Sequence, residues 1–202
     1  MSPTARRTAR TALFHTPGGF DEPLEVLLGC HRRIERQLET LKRLRGHLES
    51  HGVDAEASAA AQALIGYFHK AAVDHHDDEE KDLLPLLEKR IRDEGEQARF
   101  RAFRTQLESD RRELEGAWAR LRKPLEGIGE GFMRTLPAAE VQTFIAAYAR
   151  HIVAESALKE FFDRWLEDED CERLGRAMAS RREGAARGTG SNKPPWPQER
   201  SG

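Results

Sequence analysis

Four long stretches of this chain repeat their apolar residues with a helical period, and near the middle of each the repeat runs through residues that do not belong in a core. The first stretch follows Asp21 and Pro23 and stops near His51-Gly52; its stripe passes through 24, 27, 31, 34, 38 and 41 and so includes His31. The second, from about Ala55 to Ile91, passes through 64, 68, 71, 75, 79, 83 and 86 and includes His75 and Glu79. The third, from about Glu96 to Leu125, has Arg111 at the equivalent place. Pro124 and the glycines of GIGEG are expected to end it. The fourth starts at Pro137, a good first-turn residue, and its stripe carries His151 and Glu155 on the way to Trp165. Four amphipathic helices of about 30 residues, each about 45 Å long and joined by short connections, predict an all-α, up-down-up-down four-helix bundle. Because every interruption falls midway along its helix, the four polar sets are expected to meet at mid-height.

In each helix a base is followed four residues later by Glu: His31 and Glu35, His75 and Glu79, Arg111 and Glu115, His151 and Glu155. Residues at i and i+4 share a helix face, so each His/Glu pair can aim a nitrogen and an oxygen at one point. A lone pair of this kind is usually surface decoration. Three core-phase histidines on three helices, two with a core-phase Glu, are different: buried unpaired ionisable groups cost several kcal/mol each unless neutralised. A cation would do that, and so would ion pairs made with Arg111; both stay open at this stage. The nitrogen and oxygen donors suit iron, manganese or zinc rather than calcium or copper(I). In the HHDDEE run, His76, Asp77, Asp78 and Glu80 are expected to face solvent, although His76-x-x-x-Glu80 offers the same spacing one residue on.

Composition excludes several other classes. Charged residues make up 34% of the 202 and the hydrophobic set 38%, and no stretch approaches the roughly 20 uncharged residues that span a bilayer. The basic residues gather at the ends: three Arg and no acid in residues 1–20, seven bases against two acids in 173–202. An acidic body between basic tails is not a nucleic-acid footprint. Cys30 and Cys171 are too few for a disulfide scaffold, and the start lacks an apolar signal core, so the expected location is cytoplasmic. Residues 1–20 read as a flexible arm, 21–168 as the bundle, and the Gly-, Pro- and Arg-rich 169–202 as a mostly disordered tail.

Three segments, HRRIE at 31–35, HHDDEEKDLLP at 75–85 and YARHIVAE at 148–155, together resemble hemerythrin-like, or HHE cation-binding, domains across roughly 21–168. The resemblance implies a non-haem di-iron centre bridged by carboxylates, with O2 or another small diatomic ligand such as nitric oxide as partner. It further implies that His31, His75, Glu79, His151 and Glu155 are metal ligands, with Glu115 at the second position of the third-helix pair. The chain departs from the pattern at Arg111, where a His is expected. A guanidinium stays protonated and has no lone pair for a metal. Three states follow: two metals with Glu115, Asp110, His69 or water substituting; one metal, with Arg111 as the second positive charge; or none, with Arg111 paired to Glu79 and Glu155.

The function implied is binding or sensing of O2 or nitric oxide, or the handling of iron and redox stress, and not catalysis. A di-iron oxidase of the ferritin-like kind uses Glu-x-x-His, and none of the eight histidines has Glu at i−3. The alternative is a metal-free bundle acting as a protein-interaction module. HExxH, phosphate-binding loops and nucleophile elbows are absent.

Overall fold

The computed structural model describes residue 20 and residues 22–187; the rest of the expected arm and residues 188–202 lie outside the described residues. Helix α1 (Pro23–His51) has proline in its first turn and ends at Gly52, whose φ of 78° lets its N–H close on the Leu48 carbonyl at 3.1 Å. Helix α2 (Ala55–Asp77) is capped by Asp54, which accepts the Ala57 N–H at 2.8 Å. It runs on through a π-helical turn (Asp78–Leu83) into α3 (Leu84–Arg90). The widened turn has a local reason. Leu84 donates to the Glu79 carbonyl, five residues back, and Pro85, next in the chain, has no N–H to donate.

Helix α4 (Glu94–Gly129) is capped by Asp93 and runs straight through Pro124, so the expected end near residue 125 is corrected by one turn. The apolar phase explains the extension: Leu121, Leu125 and Ile128 are all buried. The stop comes from Gly131, at φ 81°, after which Phe132 and Met133 both donate to the Gly127 carbonyl. The fourth bundle helix is broken where one was expected whole. Helix α5 (Ala138–Glu155) ends at Glu155, Ser156 and Ala157 bond to carbonyls only three residues back, and α6 (Leu158–Trp165) follows.

The C-terminal expectation also changes. Residues Asp168–Arg187 form a further helix, α7, so the disordered tail does not begin at 169. Its Arg- and Gly-rich composition hides a helical apolar edge at Cys171, Leu174 and Met178, of which the last two are buried. Ion pairs fasten it. Arg181 contacts Asp78 and, at 2.5 Å, Asp82, while Arg182 contacts Asp78 at 2.6 Å; Arg90 reaches Asp170 at 2.8 Å.

In the bundle α1 packs on α2 and α5, and α4 packs on the same two helices, which closes a ring of four; α7 lies outside it against α1 and the π turn. No strand occurs among the described residues. The apolar interior falls into two clusters. One is built on Ile34, Leu41, Leu64, Phe68, Trp118, Leu121, Phe144 and Tyr148, the other on Leu27, Leu83, Leu87, Phe100, Leu107, Phe161 and Phe162. Along each bundle helix the passage from one cluster to the other crosses a polar level: His31 on α1, His75 to Glu79 on α2 and its π turn, Asp110 and Arg111 on α4, His151 and Glu155 on α5.

Candidate metal centre

Within this level one carboxylate is the meeting point. Glu155, at the last residue of α5, brings Oε2 to 2.5 Å from His31 Nε2 and 3.7 Å from His75 Nε2, and Oε1 to 2.5 Å from His151 Nε2. Glu79 Oε1 stands 3.7 Å from His75 Nε2. The donor atoms of His31, His75, Glu79 and Glu155 all lie within 4.8 Å of one another, a spacing that one cation can serve. The structure therefore brings together the sequence-derived residues His31, His75, Glu79, His151 and Glu155. It does not bring in Glu115. That side chain is 37% exposed and faces Arg111 Nε at 3.5 Å. Glu35 is exposed as well.

Short distances here do not amount to hydrogen bonds. Among the described residues fifteen buried side-chain nitrogens and oxygens lack a hydrogen-bond partner, and ten of them belong to His31, His75, His76, Glu79, His151 and Glu155. Buried polar atoms are normally satisfied, because an unmade bond costs about 1–3 kcal/mol. Donor atoms that approach closely without hydrogen-bond alignment point past one another toward a shared centre. This is the fit expected of a histidine–carboxylate cation site.

The electrostatics agree. Burial opposes the charge on Glu155, but His151, His31 and His75 outweigh it and hold the carboxyl well below its usual range. Burial and then the charge of Glu155 push Glu79 well above. His75 resists its own burial through Glu79, Cys30 and Glu155 and is held well above the usual histidine value. Two acids beside each other in a dry interior thus take up protons unevenly, and a cation would displace those protons.

Several residues stand where the sequence did not put them. His76 and Asp78, expected in solvent, are 2% and 0% exposed. His76 sits among His75, His151 and Tyr148, with ring centres at 5.5, 5.5 and 6.4 Å. Burial and the positive neighbours Arg111, His75 and His151 keep it well below the usual histidine value. Adjacent residues lie 100° apart on a helix and periodicity admits one of them; a wide polar level holds both. Arg111 turns away from Glu79 and Glu155 and contacts Glu80 at 2.5 Å as well as Glu115, so the pairing of the metal-free alternative is not formed. Cys30, buried beside His75, receives a bond from Arg33 at 2.9 Å. Its burial opposes ionisation, yet His75, Arg33 and Arg182 hold the thiol below its usual value. A cleft of about 410 Å³ opens between the π turn and α4 and reaches inward to Glu79 and His151, past Leu84, Leu107 and Arg111.

A four-helix bundle with histidines and carboxylates converging at mid-height is the architecture of a helical cation-binding protein. The family model of the hemerythrin HHE cation-binding domain matches residues 22–165, and the chain belongs to that family. It is also 29% identical over 164 residues, 81% of this chain and 92% of the relative, to an uncharacterized protein of Haemophilus influenzae. Helix α7 lies beyond the matched residues. No helix among the described residues is long and apolar enough to cross a membrane.

Proposed function

We propose that this chain is a non-haem iron-binding, hemerythrin-like protein that binds or senses O2 or nitric oxide, as a binding protein and not an oxidase. The observation that carries the reading is Glu155: one carboxylate whose two oxygens face different histidines in a layer of buried, unpartnered donors. His31, His75, Glu79 and Glu155 would hold the ion, with His151 on the far side of Glu155. Iron, when bound, supplies the affinity for a diatomic ligand and the change of redox state that a sensor reports. The protein's own part is access and exclusion. The cleft brings a small molecule from solvent to Glu79 and His151, and Leu84 and Leu107 in its wall keep that approach partly apolar. On the other side Phe68, Phe144 and Tyr148 pack ring against ring at 5.0–5.6 Å and close the layer to water.

Protein expressed with supplemental iron and purified without chelator is expected to carry iron and to show near-ultraviolet bands that change between anaerobic and aerated samples. Iron near zero under those conditions, with melting insensitive to chelator, would instead favour the metal-free interaction module. Iron that is present but spectrally indifferent to O2 and nitric oxide would move the reading toward iron handling.

A further inference from the structure

We propose that His76 takes over the role of the imidazole that Arg111 displaces, so that His76, His151 and the Oε1 side of Glu155 form a second cation position. This position lies next to the one made by His31, His75, Glu79 and the Oε2 side of Glu155. The inference rests on the metal-binding reading above and adds a ligand from the second bundle helix where the third supplies none.

Four observations carry it. His76 is 2% exposed and neither of its ring nitrogens has a hydrogen-bond partner. Its ring centre lies 5.5 Å from that of His151 at an interplanar angle of 74°. A ring nitrogen about 2.1 Å from an ion puts the ring centre about 3.2 Å away, so two rings on one ion at about 90–120° are roughly 4.5–5.6 Å apart. The His31–His75 separation of 4.9 Å meets the same condition on the other side of Glu155. Finally, the other substitutes are elsewhere. Glu115 is held by Arg111, Asp110 accepts from Gln106 at 2.8 Å, and His69 is partly exposed and nearly two turns before His75. His76 is the donor that remains inside.

Three protein donors leave open places on the ion, and His151 is the ligand of this position that the cleft reaches. The cleft also reaches Glu79 of the first position, so a small molecule from solvent arrives where the two positions adjoin.

The test uses full-length protein and cobalt(II), whose uptake is read without any oxygen chemistry. Wild type is expected to bind about two cobalt ions per chain, and His76→Phe, which keeps an aromatic ring against Tyr148, about one. Two ions in both proteins, or one in both, would overturn the role of His76 and leave the metal-binding reading standing. None in wild type would overturn both. Should His76→Phe fail to fold, crystals of wild type soaked in cobalt decide the matter by anomalous scattering. A second peak bonded to a His76 nitrogen supports the assignment, and a second peak away from His76, or no second peak, refutes it.

Discussion

At the scale of single residues, two glutamates in the same sequence frame have different fates. Glu155 and Glu115 each follow a base by four positions, yet Glu155 is buried among three histidines while Glu115 balances Arg111 near the surface. The difference lies in the base. Imidazole is neutral and can share an interior cation with its partner, whereas a guanidinium carries its own charge and draws acids such as Glu80 and Glu115 to itself. Glu155→Ala is expected to reduce metal content to background with helicity retained, read by metal analysis and circular dichroism. Glu115→Ala is expected to leave metal content unchanged and to move stability by no more than about 0.5 kcal/mol. The phase of the apolar stripes was enough to pick out His31, His75, Glu79, His151 and Glu155 as inward residues. Glu115 lay outside the stripe and entered the set through the resemblance, and spacing carries no information about which way an arginine turns. The phase offered His76 only as an alternative register to His75, because a one-sided stripe cannot hold two neighbours.

At the scale of elements, the helices were legible where apolar residues recur and illegible where their ends depend on single backbone bonds. Proline 124 looks like a terminator, but a helix that loses one bond continues if Leu125 and Ile128 still have a core to enter. The π turn follows from Pro85 and the polar level together, which no periodicity displays. Helix α7 was obscured by composition, since its contribution rests on Leu174, Met178 and a few ion pairs rather than a broad stripe. It also contains a position where an ordinary rule reverses. Replacing a glycine inside a helix by alanine usually gains about 1 kcal/mol. At Gly175 a Cβ would stand 1.8 Å from the Phe20 carbonyl oxygen, so backbone must give way. Gly175→Ala is expected to lose about 1–3 kcal/mol in urea unfolding and to speed amide exchange along α7. A gain in stability would mean that α7 does not press on the residues before α1.

For the whole molecule, the four-helix ring and the mid-height meeting of polar sets were both readable from the sequence, because a bundle forces equivalent levels of its helices into one plane. What the plane does to the core was not. It parts the interior into two apolar clusters, with unpartnered imidazoles and carboxylates where greasy contact would otherwise be continuous. Removing bound metal is therefore expected to do more than lower the melting temperature. Calorimetry of the loaded protein should give one transition, and of the chelated protein two, or one broadened transition whose van't Hoff enthalpy falls below the calorimetric value. A single sharp transition in both states would mean that the helices alone couple the two ends. On that expectation cooperativity is a property that an ion confers: with its waist filled the bundle would melt as one body, and with its waist bare as two short bundles sharing the same four rods.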